Sequence, residues 1–102
     1  MIHIESKEQF EKEIKNGKVL VDFYATWCGP CRMLASVLEE LENNQDIKIL
    51  KVNVDEQFEI ASEFFVSSIP LLVFFKDNNK VGDHLGFIPL PQLEKLCNKY
   101  FD

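Results

Sequence analysis

The segment W-C-G-P-C at positions 27–31 constrains this chain more than any other part of its sequence. It follows an apolar run from Val19 to Ala25, which is typical of a buried strand, and it precedes a helical pattern that begins near Cys31. The two cysteines therefore lie in a turn between a strand and a helix, where they can close a small disulfide ring. A bare C-x-x-C also occurs in zinc sites and by chance, so the flanking strand and helix are an essential part of the argument.

This turn gives the two thiols different environments. The first turn of a helix has unpaired N–H groups and the positive end of the helix dipole, so we predict that Cys28 ionises more easily. Cys31 lies three residues before Leu34 on the apolar stripe of the helix, so it is expected to face inward while Cys28 occupies the exposed lip. This arrangement suits thiol–disulfide exchange, in which an exposed thiolate attacks a substrate disulfide and a sheltered partner resolves the mixed disulfide.

Composition and charge exclude several classes of protein. With 102 residues, 46% hydrophobic and 27% charged, the chain is expected to fold as one globular domain, 1–102. Its net charge of −6 argues against nucleic acid or an anionic membrane as the main partner. The chain shows no signal-peptide pattern and no run near the roughly 18 apolar residues of a membrane span, so we expect a cytoplasmic protein. Three cysteines are too few for a disulfide scaffold, which favours a redox role for the pair.

The apolar pattern along the chain predicts alternating strands and helices. We expect strands at 2–4, 19–25, 47–54, 71–76 and 81–87, and helices after Ser6, near Cys31, after Asp55 and from Leu90 to Tyr100. A strand, helix and strand in succession give a right-handed parallel crossover, and a polar turn at 77–80 lets the last two strands pair as a hairpin. The predicted fold class is therefore α/β, with a central mixed sheet and helices on both faces.

The ends and inner faces of the helices can be predicted as well. Ser6 with Gln9 forms a capping-box pattern, and Gly17 lies where a helix C-terminal glycine is expected. Asp55 is the expected N-cap of the third helix. That helix is expected to turn four residues inward, Phe58, Ala61, Phe64 and Phe65.

The segment from Val21 to Cys31, V-D-F-Y-A-T-W-C-G-P-C, closely resembles the active-site segment of the thioredoxin family, including an acidic residue six positions before the first cysteine. The spacings from Cys31 to Pro70 and from Pro70 to Gly86 also fit the family, so the resemblance covers essentially the whole chain. It implies the thioredoxin fold, a five-stranded mixed sheet in the order 1-3-2-4-5 flanked by four helices. It also implies protein-disulfide reductase activity through a reversible disulfide between Cys28 and Cys31.

Asp22 and Lys51 are the candidate residues for proton transfer. From the pattern alone, Asp22 is either a general base with a raised pKa behind Cys31 or a structural acid at a strand edge. The resemblance favours the first role, because the family uses the acid at this position for proton transfer. Lys51 interrupts the neighbouring strand, and the resemblance favours its pairing with Asp22 over a simple surface position.

The resemblance also implies a substrate-binding surface around the cysteines. The sequence by itself favours a trans bond before Pro70, because only about 5% of such bonds are cis. In the family the corresponding proline is cis, faces the disulfide and helps to exclude metal, and the backbone before it, here Ile69, pairs with an extended substrate segment. The other residues that the resemblance places around this groove are Trp27, Gly29, Pro30 and Gly86. Without the family, Trp27 is more readily interpreted as a core aromatic.

Other residues are expected to be structural or to affect target choice. Cys97 lies on the apolar stripe of the last helix and is predicted to be core, with a regulatory thiol as the alternative. His3 and His84 have no companions at metal-binding spacing, so no metal site is predicted. The chain departs from the family pattern at Ser36, Ser67, Ser68 and Leu71, which we expect to alter the groove and not the redox couple.

These observations predict a cytoplasmic protein-disulfide reductase that maintains thiol redox balance as a monomer. The family implies that it binds no cofactor and receives electrons from NADPH through a separate flavin-containing thioredoxin reductase. Its targets would be proteins with disulfides, such as reductases and peroxidases. An oxidant or isomerase of the same fold is the alternative enzyme, although Gly-Pro between the cysteines favours a reductase. A binding module in which the cysteines are incidental is the alternative outside enzymes.

Overall fold

The computed structural model describes residues 1–102 as one mixed sheet with helices on both faces. The strands are β1 (Ile2–His3), β2 (Lys18–Tyr24), β3 (Lys48–Asn53), β4 (Leu71–Lys76) and β5 (Asn79–Leu85). The helices are α1 (Lys7–Glu13), α2 (Gly29–Asn44), α3 (Phe58–Glu63) and α4 (Leu90–Phe101). The strand order is β1-β3-β2-β4-β5, with β1, β3 and β2 parallel and with β4 and β5 each antiparallel to the preceding strand in that order. The predicted fold class and strand order are therefore confirmed.

The central strand β2 is covered on both faces, because every residue from Val19 to Phe23 is buried. Leu20 belongs to the core beneath α2 and α4, and Val21 belongs to the core beneath α1 and α3. Side chains alternate along a strand, so Asp22 points to the same face as Leu20, which is the face that α2 covers. The apolar run thus places one carboxyl group beneath the helix that carries the cysteines.

Strand pairing brings distant parts of the chain to one end of the central strands. In the parallel pair, Asp22 of β2 lies opposite Lys51 of β3. In the antiparallel pair, Phe23 near the end of β2 lies opposite Leu71 at the start of β4. Three loops therefore meet at this end of the strands: those that follow β2 and β3 and the one that precedes β4. The W-C-G-P-C segment begins in the first of them.

The first helix begins as predicted but ends earlier. The Ser6 hydroxyl accepts a hydrogen bond from the Gln9 backbone N–H at 3.1 Å, which satisfies one of the free donors of the first turn. The helix is capped by Ile14, so the prediction that Gly17 is its C-terminal glycine is wrong. Gly17 instead has a φ of 79° and donates its N–H to Asp77 Oδ1 at 2.8 Å, which fastens the start of β2 to the β4–β5 turn.

Two predictions for the third helix are wrong. Gln57 and not Asp55 is the N-cap, so the helix begins later than expected. Phe58 and Phe65 are 75% and 89% exposed instead of inward-facing, whereas Ala61 is buried. The helix is only six residues long, so it offers one narrow inner face. Phe64 alone of the three phenylalanines packs into the core, where its ring meets those of Phe10, Phe23 and Phe75.

Candidate active site

The two cysteines lie at the N-terminus of α2 and are joined by a disulfide bond. Cys28 is the N-cap, and its sulfur accepts a hydrogen bond from the Cys31 backbone N–H at 3.3 Å. Pro30 fits the first turn because its missing N–H would have no helical partner there. The ring closes with the two Cα atoms 5.2 Å apart. The segment therefore forms a compact disulfide ring with one sulfur directed at the positive end of a helix.

The prediction that Cys28 lies at an exposed lip is wrong in this disulfide form. Cys28 is 5% exposed and Cys31 is 2% exposed, so both are buried. They form a small cluster with Ala25, and Val54 and Ile69 pack against it from other loops. These two residues come from distant parts of the chain, and their cover reduces the exposure of Cys28. Cys28 is nevertheless the more exposed of the two residues.

Asp22 and Lys51 form a buried ion pair beneath α2. The Lys51 Nζ atom donates to Asp22 Oδ2 at 2.7 Å, and the two residues are 6% and 0% exposed. The other carboxylate oxygen, Oδ1, is buried without a hydrogen-bond partner. Burial raises the pKa of the Asp22 carboxyl, and the charge and hydrogen bond of Lys51 offset this effect only in part. The Asp22 carboxyl therefore binds a proton more readily than an exposed aspartate does.

A pocket of about 390 Å³ lies between Lys51 and the inner cysteine. Both Cys31 and Lys51 line the pocket, together with Tyr24 and the exposed Arg32. The Lys51 ammonium lies 4.3 Å from the centre of the Tyr24 ring, a cation–π distance, so its position is fixed from two sides. One pocket is therefore shared by the inner cysteine and by the lysine that holds Asp22.

The loop before β4 faces the cysteine cluster. The Ile69-Pro70 peptide bond is cis, and Ile69 packs against the cluster that holds both cysteines. The Gly86 N–H donates to the Pro70 carbonyl at 2.8 Å, and Gly86 has a φ of 96°, a conformation that favours glycine. The structure thus brings Ile69, Pro70 and Gly86 together beside the disulfide.

Trp27 projects from the site and is held by Asp55, a contact that no sequence pattern signals. Its indole is 69% exposed, so the alternative of a core aromatic is wrong. The Trp27 Nε1–H donates to Asp55 Oδ2 at 2.9 Å, and the Asp55 N–H donates to Asn53 Oδ1 at 2.9 Å. Asp55 was the expected helix cap, and no local pattern signals its contact with a side chain so far away in the chain. The remaining groove residues are accessible, with Gly29 and Gly86 partly exposed and Pro30 exposed.

The rest of the chain offers no second reactive centre of the same kind. Cys97 is a free, buried cysteine, and burial raises its thiol pKa to about 11. No group of three or more histidine, cysteine, aspartate or glutamate side chains is arranged to hold a metal ion. None of the helices has the length and apolar character needed to cross a membrane.

A disulfide ring at a helix N-terminus is an arrangement suited to thiol–disulfide exchange. The thioredoxin family model matches residues 1–99. A thioredoxin of Listeria monocytogenes is 48% identical over 93 residues, which are 89% of this chain and 90% of that protein. A thioredoxin of Bacillus subtilis is 46% identical over 95 residues, 91% of each chain.

The solved structures agree with the sequence relatives. A mutant thioredoxin from Halobacterium salinarum superimposes with a TM-score of 0.92 at 34% identity, covering 99% of this chain and 90% of that one. The chain belongs to the thioredoxin family. It is an enzyme of the class that reduces protein disulfides through a redox-active cysteine pair without a bound cofactor.

Proposed function

We propose that Cys28 is the attacking nucleophile, Cys31 the resolving cysteine and Asp22 the group that moves the proton between the two steps. The observation that carries this proposal is the shared pocket, because Cys31 and Lys51 line it and Lys51 holds the buried Asp22 carboxylate. A carboxyl with a raised pKa behind the inner sulfur suits a general base that works near neutral pH.

The first step is attack on the target disulfide. In the dithiol form, the N–H groups and dipole at the start of α2 stabilise the Cys28 thiolate. This thiolate attacks one sulfur of the target, and a bond between Cys28 and that sulfur forms as the target disulfide breaks. The other target sulfur leaves as a thiolate and takes a proton from water.

The second step returns the target and closes the ring. Cys31 is buried, so its thiol loses a proton more readily to a nearby base than to bulk water, and Asp22 accepts that proton. The Cys31 thiolate then attacks the Cys28 sulfur, the Cys28–target bond breaks, and the second target sulfur leaves as a thiolate. Two electrons pass to the target, and the Cys28–Cys31 disulfide is the oxidised product. Lys51 tunes this step by limiting how tightly Asp22 holds its proton.

Substrate binding is assigned to the surface around the disulfide. An extended target segment pairs with the backbone at Ile69, as an added strand does at a sheet edge, and Pro70 follows Ile69 in the loop that packs against the cysteines. The exposed indole of Trp27 supplies apolar contact area. Gly29, Pro30 and Gly86 leave room for the target backbone to approach, since none of them carries a bulky flexible side chain.

The oxidised ring must be reduced for another cycle. We assign this role to a separate flavin-containing thioredoxin reductase that uses NADPH, because proteins of this family are reduced in that way in general. The chain, 1–102, is expected to act as one thioredoxin domain and as a monomer in the cytoplasm, where a reducing supply of electrons is available.

Replacement of Cys31 by serine tests the assignment of the two cysteines. Cys31→Ser is expected to accumulate a covalent adduct with a disulfide protein such as insulin, because Cys28 still attacks and nothing resolves the product. Mass spectrometry of the adduct before and after dithiothreitol measures this. Cys28→Ser is the matched control and should form no adduct. An adduct through Cys97 would contradict the proposed roles.

A further inference from the structure

The C-terminal end of α3 has an unusual residue at a defined position. The Val66 N–H donates to the Ala61 carbonyl and the Phe65 N–H to the Ser62 carbonyl, at 3.1 Å each, which is the hydrogen-bond pattern of a Schellman motif. The residue after the helix cap in this motif adopts a left-handed conformation. Here that residue is Phe65, with a φ of 53°.

Phe65 is not explained by the stability of the fold. Glycine normally fills this position, because a left-handed residue with a side chain brings its Cβ atom close to the following carbonyl oxygen. A large aromatic residue in this conformation is strained, and burial usually compensates for such strain. The Phe65 side chain is 89% exposed, so it gains almost no burial in return.

Phe65 lies on an apolar and acidic surface that we call the α3 surface, formed by Glu56, Phe58, Glu59, Glu63 and Phe65. All five residues are exposed. Lys7 forms ion pairs with Glu59 and Glu63. Its one positive charge does not balance the three glutamates, so the surface keeps a net negative charge. No lysine or arginine occurs between positions 52 and 75, so the adjoining segments add no positive charge.

The α3 surface adjoins the loop of Ile69 and Pro70 along the chain. Phe65 lies four residues before Ile69, which packs against the cysteine cluster. Four residues of extended chain span at most about 14 Å, so a target segment that pairs with the backbone at Ile69 and extends by a few residues can reach Phe65. Its side chains would meet two exposed aromatic rings and a field of negative charge.

We propose that the α3 surface is a docking site for target proteins whose disulfide is flanked by apolar and basic side chains, with Phe65 as its anchor. This proposal rests on the proposed function, because it extends the groove of the same redox site. Exposed aromatic residues are favoured anchors in protein interfaces, and complementary charge speeds association and selects partners. Phe65 sets target preference and takes no part in the chemistry of the two sulfurs.

Phe65→Gly separates docking from stability. Glycine is preferred at this position, so the variant is expected to melt at the same temperature or higher. The probes are two synthetic peptides with one internal disulfide each, one flanked by alternating leucine and arginine and the other by alternating serine and glutamate. The native protein should reduce the leucine–arginine peptide faster, and Phe65→Gly should lower kcat/KM for that peptide about tenfold, as the loss of an interface anchor does.

Two controls make the outcome unambiguous. Reduction of 5,5′-dithiobis(2-nitrobenzoate), which is too small to reach the α3 surface, should be unchanged in Phe65→Gly. Val81→Ser removes another exposed apolar side chain, near the start of β5 and five residues before Gly86, and should leave the reduction of both peptides unchanged. The docking proposal is overturned if the native protein reduces the two peptides at equal rates. It is also overturned if Phe65→Gly reduces the leucine–arginine peptide as fast as the native protein does. Either result leaves the proposed function intact. Failure of the native protein to reduce any of the three disulfides would instead refute the proposed function.

Discussion

Replacing Lys51 by methionine tests whether the buried ion pair sets the proton affinity of the site. The Lys51 and Asp22 charges are 2.7 Å apart, so at an effective dielectric constant of about 20 their attraction is about 6 kcal/mol. The pKa of Asp22 is raised even with this attraction present, because desolvation of the carboxylate is larger. Lys51→Met keeps most of the side-chain volume and removes the charge. It therefore leaves a buried carboxylate without a partner.

The stability change should depend on pH, with a definite sign. An acid whose pKa is raised in the folded state contributes stability that is fully present below its unfolded value, here 3.8, and is lost as pH rises through the folded value. Lys51 limits that loss. The difference between the native protein and Lys51→Met should therefore be less than about 1 kcal/mol at pH 4 and about 3 to 5 kcal/mol at pH 9, the cost of breaking a buried pair.

Urea unfolding followed by fluorescence of the single tryptophan, Trp27, measures both values. In the Asp22→Asn background the same Lys51→Met change should cost nearly equal amounts at pH 4 and pH 9, since no carboxylate remains to titrate. A loss of the same size at both pH values in the native background would refute the reasoning. It would mean that Lys51 acts through packing against the Tyr24 ring and not through its charge.

Two further predictions concern the individual site residues. Asp22→Asn should slow resolution of the mixed disulfide by roughly 100-fold near neutral pH, as loss of a general base does, and should leave the initial attack unchanged; stopped-flow measurement that found both steps equally slowed would contradict a proton-transfer role. Because burial raises the pKa of Cys97 to about 11, only about one thiol in a thousand is ionised at pH 8. Iodoacetamide should therefore label Cys97 of the reduced protein far more slowly than Cys28, and mass spectrometry that found equal labelling would show that Cys97 is accessible.

The parts of the fold that were predictable are those with a strong local pattern. β2 and β4 are apolar on both faces, and polar residues mark the turn between β4 and β5, where Asp77 and Asn78 adopt positive φ values. The pairing of Asp22 with Lys51 was favoured only by the family resemblance, since the pattern alone also allowed a surface position for Lys51; in the structure the two residues lie opposite each other on neighbouring parallel strands. For the strands and the turn, neighbouring residues carry the information, so the sequence pattern was sufficient.

The third helix shows why the rest was not predictable. A helix of six residues contains fewer than two turns, so a shift of its start by two residues changes which side chains face inward. The cap pattern at Asp55 was a valid local signal, but the hydrogen bond to Trp27 takes that carboxylate away from the helix. The exposed position of Phe65 depends on a left-handed backbone that no sequence rule assigns to phenylalanine.

The depth of the cysteines was also beyond the reach of local patterns. The helical spacing indicated correctly that Cys31 faces inward. It did not indicate how far Cys28 would be covered, because Val54 and Ile69 provide that cover from the ends of other elements. A pattern along one helix reports the direction of a side chain, whereas its exposure depends on the assembled neighbours.

The position of β2 between β3 and β4 also determines the state of a chain that is still being synthesised. Until residues from Leu71 onward leave the ribosome, one edge of β2 has no hydrogen-bonding partner. Ile69 is not yet in place over the cysteine cluster at that stage, so the nascent chain presents an apolar strand edge and an accessible dithiol together. When β4 and β5 are added, β4 pairs with the free edge of β2 and Ile69, just before β4, covers the sulfurs. A chain released before β4 is therefore vulnerable to both aggregation and oxidation.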